Sequence, residues 1–391
     1  MEKTEGSNPA VLLLEDGSLF LGRGFGAETT AVAEVVFTTG MVGYPESMTD
    51  PSYAGQVLTF TYPLIGNYGV PSMQDLDPMG LPRQFESESV KVSGIVVQES
   101  CARPSHWDSK RTLSDWMRGE GVPGIEGVDT RALVTKLRER GVMMGVLANG
   151  VELSSRGELM ALLKGSTRYG AIDFVRRVSP KQPRVYGDSE RTVVVLDCGT
   201  KLSIIRNLLI RGYSVVRAPF DTPYSEVVKH DPVGVVVSNG PGDPQLCSET
   251  VATTKRLIES GMPTLGICLG QQLVALSQGA TTYKLKYGHR GQNKPIFDPV
   301  TGKGFVASEN HGYSVDEGSL AGTDLRTWFV NADDRSIEGL THSSRPCISV
   351  QFHPEASPGP YDAQFVFDRF AALVESGKAS GVGERVRSMR A

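Results

Sequence analysis

From about residue 192 to residue 278 the chain alternates strand-like and helix-like segments, and this alternation limits the fold more than any other feature. Apolar, β-branched runs at 192–196, 213–216, 233–237 and 263–267 are each followed by helical spacing, at 202–210, 222–229, 248–260 and 269–278. Strands joined through helices lie parallel in one sheet. The expected fold is therefore α/β, with a doubly wound, mostly parallel sheet in the C-terminal part. Such sheets place their sites at the carboxyl ends of the strands.

Two of those strand ends carry chemistry. Gly266-Ile-Cys268-Leu-Gly270 sets a cysteine between two glycines where a strand gives way to a helix. This is the nucleophile elbow with sulfur in place of the usual hydroxyl. The sharp turn needs small neighbours, and the helix N-terminus offers N–H groups that suit an oxyanion. Taken alone, such a cysteine is more often a small buried hydrophobe. The second strand end, Ser238-Asn-Gly240-Pro-Gly242-Asp-Pro244, breaks into a glycine–proline loop that can expose backbone N–H groups. Gly240 and Gly242 would allow its peptides to reorient at low cost.

A thiol nucleophile needs a base, and the base needs an orienting group. Among six histidines, His353 follows the apolar run from Cys347 and stands two residues before Glu355. Residues two apart in extended chain share a side, so both can face one site, and Pro354 ends the strand. The inventory thus points to a Cys268–His353–Glu355 triad. His289 with Arg290 reads as a basic loop or a second base, and His311 as a residue that packs or caps a turn. Gly22-Arg-Gly24-Phe-Gly26 lacks the spacing of a nucleotide loop and reads as hairpin glycine.

Taken in order, Ser-Asn-Gly240-Pro-Gly-Asp-Pro, Gly-Ile-Cys268-Leu-Gly-Gln-Gln and Phe-His353-Pro-Glu355 resemble the motifs of class I glutamine amidotransferases. The likeness extends beyond them. Residues 286–295, Glu309-Asn-His-Gly-Tyr313, 39–53, 61–69 and Gly127-Val-Asp-Thr-Arg131 are similar to the small, glutaminase subunit of carbamoyl-phosphate synthetase, over about residues 9–376. The resemblance implies hydrolysis of glutamine through a glutamyl thioester on Cys268. His353 would act as base, Glu355 as its orienter, and the N–H groups of Gly240 and Leu269 as oxyanion donors. It implies glutamine contacts at Ser52, Gly240, Gly242, Leu269, Gln272, Asn310, Gly312 and Tyr313. It also implies a large synthetase partner, as a separate subunit or a fused domain, that binds ATP, Mg and bicarbonate and takes the ammonia. No cofactor is expected in this chain. Two other readings remain on the residues alone: a regulatory subunit on the same fold, disfavoured because the triad is complete, and a γ-glutamyl peptidase, disfavoured by the N-terminal half.

Composition agrees with these expectations. Of 391 residues, 39% are hydrophobic and 21% charged, which fits a folded soluble chain of two domains. A formal charge of -4 gives no reason to expect nucleic acid or an anionic membrane as partner. Five scattered cysteines, with no C-x-x-C pair, indicate neither a disulfide framework nor a metal, and no metal is expected at the site. No signal peptide is visible, so the expected compartment is the cytoplasm. The expected domains are 1–150, a mixed α/β unit with a hairpin at 11–21, a strand at 94–98 and a helix at 130–140; a linker, 151–190; the amidotransferase domain, 191–376; and a tail, 377–391. Short strands are expected after residue 284 and a final helix over 361–375. The tail resembles a linker toward a fused domain, or a short basic tail. Pro104-Ser-His-Trp107 and Phe85-Glu-Ser resemble the eukaryotic multifunctional pyrimidine enzymes.

Overall fold

The computed structural model describes residues 8–150 and 155–376; the expected tail at 377–391 lies outside them. The chain divides into two compact units, one ending at Ile172 and the other starting at Asp173, with Pro78–Leu81 grouped with the second. The division therefore falls inside the segment expected as a linker, 151–190, and ahead of the expected domain start at 191. The segment expected as a linker is structured on both sides. Helix Arg156–Gly165 carries a capping box, in which Ser155 and Glu158 bond reciprocally to each other's backbone N–H. Strand Arg184–Tyr186 already pairs within the second sheet.

In the first unit, β1 (Pro9–Leu14), β2 (Leu19–Gly26), β3 (Thr30–Thr38), β4 (Gln56–Phe60), β6 (Gly94–Val96), β8 (Pro123–Glu126) and β9 (Met143–Asn149) close into a barrel, in the order 1-2-8-6-4-3-9. Two short strands, β5 (Leu64–Ile65) and β7 (Glu99–Ser100), pair outside it. The β1–β2 hairpin turns at Asp16-Gly17, where Gly17 has φ 85°. Helix Thr130–Arg140 starts where Asp129 Oδ1 accepts the Ala132 N–H at 2.8 Å and stops at Gly141, with φ 96°. The glycines at 22–26 lie within β2.

The second unit holds a ten-stranded sheet. Its strands are β10 (Arg184–Tyr186), β11 (Thr192–Asp197), β12 (Ser214–Pro219), β13 (Gly234–Val237), β14 (Thr264–Ile267), β15 (Thr282–Phe297), β16 (Gly304–Val315), β17 (Leu325–Asn331), β18 (Ile337–His342) and β19 (Cys347–Val350). The order is 10-12-11-13-14-19-18-17-15-16. Pairs 11–12, 11–13, 13–14 and 14–19 are parallel, and the rest are antiparallel. The parallel strands are buried on both faces. Val193 to Leu196 and Val235 to Val237 are fully buried, as continuous β-branched runs require. Each such side chain contributes about 1.5–3 kcal/mol of burial free energy. The region after residue 284 departs from expectation: β15 and β16 are long, at 16 and 12 residues, with register shifts in their pairing. Gly288, Gly291 and Pro295 hid this strand by interrupting its alternation. The helix at 222–229 shrinks to Tyr224–Val227 plus one 3-10 turn, and the last helix runs over Phe365–Ser376.

Candidate active site

β14 passes directly into helix Leu269–Ser277 through Cys268, which has φ 54° and ψ −106°. A non-glycine residue in such a region costs of order 1–3 kcal/mol and is held only by its surroundings. Those surroundings are specific. A Cβ on Gly266 would stand 2.7 Å from the Gly270 carbonyl oxygen, and one on Gly270 only 1.9 Å from that of Val237. The Cys268 N–H donates to the Val350 carbonyl at 2.8 Å, which ties the turn to β19. The thiol is buried, with Sγ 3.6 Å from the Asn310 carbonyl oxygen. Cys268, at the N-cap position, makes no side-chain hydrogen bond to the first turn of the helix.

β19 ends at Val350, and His353 lies in the turn beyond, where its N–H donates to the Ser308 carbonyl of β16 at 2.9 Å. The pair two residues apart still meets: His353 Nδ1 is 2.5 Å from Glu355 Oε1. The same Glu355 oxygen lies 3.0 Å from Lys201 Nζ, in a pair almost closed to solvent. Burial raises the Glu355 carboxyl pKa, but Lys201 and His353 outweigh it and bring it down to about 2. On His353, burial opposes the charge. Glu355 first, and Cys268 beside the ring, reverse that and lift it to about 10.

The loop after β13 closes the other side. A Cβ on Gly240 would stand 2.2 Å from the Cys198 carbonyl oxygen and 2.9 Å from Leu269 Cδ2, so this glycine is demanded by close approach. Only Gly242 of the two takes positive φ, at 92°. Gln272 Nε2 donates to the Tyr313 carbonyl at 2.9 Å and to Gln351 Oε1 at 3.0 Å. Asn310, Gly312 and Tyr313 follow one another within β16, so His311 lies inside a strand and not at a turn. Ser52 belongs to the first unit, where it is buried in the 3-10 turn Pro51–Tyr53 and its N–H donates to Asp50 Oδ1 at 2.9 Å.

Sequence reasoning missed Lys201 and Gln351. Lys201 follows Cys198-Gly-Thr at the carboxyl end of β11, the position where such sheets place functional groups, and that was the available signal. It also misread His289, which is buried within β15 and 2.9 Å from Asp334 Oδ2.

A strained cysteine elbow beside a buried His–Glu pair, at the carboxyl ends of parallel strands, defines the class I glutamine amidotransferases. The family model for that class matches residues 194–373. The model for the carbamoyl-phosphate synthase small chain, CPSase domain, matches residues 12–147. The carbamoyl phosphate synthase small chain of Pyrococcus furiosus is 49% identical over 372 residues, covering 94% of this chain and 98% of the relative. That of Sulfolobus acidocaldarius is 44% identical, covering 96% and 99%. The arginine-specific small chain of Yarrowia lipolytica is 44% identical, covering 97% and 86%. The chain belongs to the carbamoyl phosphate synthase small chain family. Among the described residues no helix is long and apolar enough to cross a membrane.

Proposed function

We infer that this chain is the glutaminase component of a glutamine-hydrolysing carbamoyl-phosphate synthase. The observation that supports this most is the buried relay His353–Glu355–Lys201 beside the Cys268 elbow. Cys268 gives its proton to His353 and attacks the carboxamide carbon of glutamine. The Gly240 and Leu269 N–H groups hold the oxyanion. The tetrahedral intermediate collapses to the glutamyl thioester as His353 returns the proton to the leaving ammonia. Water, deprotonated by His353, then cleaves the thioester to glutamate. Glu355 holds the imidazole orientation, and Lys201 fixes Glu355 in the ionised form. Within the second unit, Gly242, Gln272, Asn310, Gly312 and Tyr313 complete the glutamine site, Gln272 and Tyr313 by the bond that joins their elements.

The ammonia passes to a large synthetase component, which binds ATP, Mg and bicarbonate and makes carbamoyl phosphate for pyrimidine or arginine synthesis. The cytoplasm is the compartment that fits this chemistry. The test is glutamine hydrolysis by this chain with and without its large partner, ATP and bicarbonate. Hydrolysis that rises when the partner turns over supports the reading. A chain that hydrolyses γ-glutamyl peptides in preference to glutamine, indifferent to the partner, would overturn it.

A further inference from the structure

A second buried cluster lies in the antiparallel part of the same sheet, and the mechanism above assigns it no step. His289 on β15, Glu309 and His311 on β16, and Glu338 on β18 are all buried, and one donor atom from each lies within 4.8 Å of the others. The inner atoms are His289 Nδ1, His311 Nε2, Glu309 Oε2 and Glu338 Oε1. Glu309 Oε2 is 2.9 Å from His289 Nδ1 and 3.1 Å from His311 Nε2. Glu338 Oε1 is 3.8 Å and 3.9 Å from the same two nitrogens. A zinc tetrahedron with bonds of about 2.0–2.1 Å has edges of roughly 3.3–3.4 Å. The four separations bracket that value.

The outward atoms of the cluster carry the argument further. His311 Nδ1 donates to the Tyr313 carbonyl at 2.8 Å, and His289 Nε2 to Asp334 Oδ2 at 2.9 Å. Each ring is tied outward through one nitrogen, and its other nitrogen faces a carboxylate oxygen, a contact that needs a proton or a metal ion between the two atoms. His289 Nδ1 makes no hydrogen bond despite its 2.9 Å approach to Glu309, and Glu338 Oε2 has no partner either. Asn331 Nδ2 donates to Glu309 Oε1 at 3.2 Å, which turns Oε2 inward. Histidines anchored by a carboxylate and a carbonyl, with the second nitrogen turned toward a shared centre, are the arrangement of metal-bound imidazole.

We propose that His289, Glu309, His311 and Glu338 bind one divalent, zinc-type cation that clips β15, β16 and β18 together. Two neutral imidazoles and two carboxylates neutralise a 2+ ion, and a mixed N/O donor set suits zinc over magnesium or calcium. Four protein ligands leave no open position, so the ion is structural. It steadies the segment of β16 whose Asn310 carbonyl faces Cys268 Sγ. Four residues on three strands present no spacing motif, which is why no metal is legible in the sequence.

The test is metal content and rebinding on the full chain. Chain grown with zinc and dialysed against metal-free buffer should hold about one zinc per chain by elemental mass spectrometry. After chelator stripping, added Co²⁺ should give the intense visible bands of tetrahedral cobalt. Glu338→Gln should lose those bands. Asp334→Asn should keep the site but weaken zinc binding on the order of 10–100-fold, through loss of the outward hydrogen bond. Should Glu338→Gln not fold, chelator competition on the unaltered chain decides alone. A folded, unaltered chain with neither stoichiometric zinc nor cobalt bands overturns the proposal. So do bands of equal intensity in folded Glu338→Gln.

Discussion

The second unit contains two buried histidine–carboxylate centres, and they differ in how charge is balanced. At His353 and Glu355, one carboxylate meets one imidazole and one ammonium, from Lys201. The balance is complete within the protein, and the orienting bond holds Nδ1, which leaves Nε2 for chemistry at the elbow. At His289, Glu309, His311 and Glu338, two carboxylates meet two imidazoles, each tied outward through one nitrogen, and Asp334 adds a third carboxylate on the far side of His289. The first centre can move a proton. The second is arranged to hold something in place. The lesson is that a buried His–carboxylate contact does not by itself mark a catalytic site. The partner on the far side of the carboxylate decides its role.

The sharpest break in this comparison is Cys268→Ser. It should bring glutamine hydrolysis to background, because a serine hydroxyl is a far poorer nucleophile than a thiol, while ammonia-dependent synthesis by the assembled enzyme persists. Steady-state assays with each nitrogen donor measure this. A serine variant that kept most of its glutaminase rate would remove the first centre from catalysis.

His353→Asn should cost on the order of 10²–10⁴-fold in kcat for glutamine. Glu355→Gln should cost less, since the orienter acts through the ring. If His311→Asn instead matched the loss at His353, the division of roles between the centres would fail.

Lys201→Met leaves the Glu355 carboxylate buried without its cation. Removing one partner of a buried pair costs about 3–5 kcal/mol, read as a lower urea midpoint. The exposed pair Lys229–Glu226 is the control: Lys229→Ala should cost at most about 0.5 kcal/mol. Equal costs at the two positions would show that burial does not separate them.

Acid should expose the same asymmetry. The folded pKa of Glu355 is lowered from 4.5 to about 2, so its contribution is present above pH 4.5 and is lost as pH falls toward 2. His353 is raised from 6.5 to about 10, so its contribution is present below pH 6.5 and is lost as pH rises toward 10. Unfolding free energies across both windows should show both slopes, and Lys201→Met should flatten the acid one. An unchanged acid slope in that variant would mean that Lys201 does not set the Glu355 charge.

Gly240→Ala is the smallest structural change with a defined cause. The new Cβ meets the Cys198 carbonyl oxygen at 2.2 Å, backbone that cannot easily yield. It should lower stability and glutaminase together, so it is a poor probe of peptide reorientation in this loop. Gly242, with positive φ, is the residue whose substitution tests that freedom.

The sequence determined what is local. The β/α alternation gave the parallel strands, because burial on both faces writes unbroken apolar runs. Asp129 and Gly141 marked the ends of their helix, because caps are made by residues adjacent in the chain. Gly266 and Gly270 marked the elbow, since only residues without a Cβ pass that turn. His353 and Glu355 were legible as a pair because they stand two positions apart. Tertiary structure decided the rest. Lys201 reaches Glu355 across 154 positions, the seven barrel strands close in an order no local pattern encodes, and β15 pairs with β16 through register shifts. The cluster at His289 exists only once three strands are laid side by side. Such contacts carry no periodic signature, because their energy comes from groups that meet only after the chain has folded.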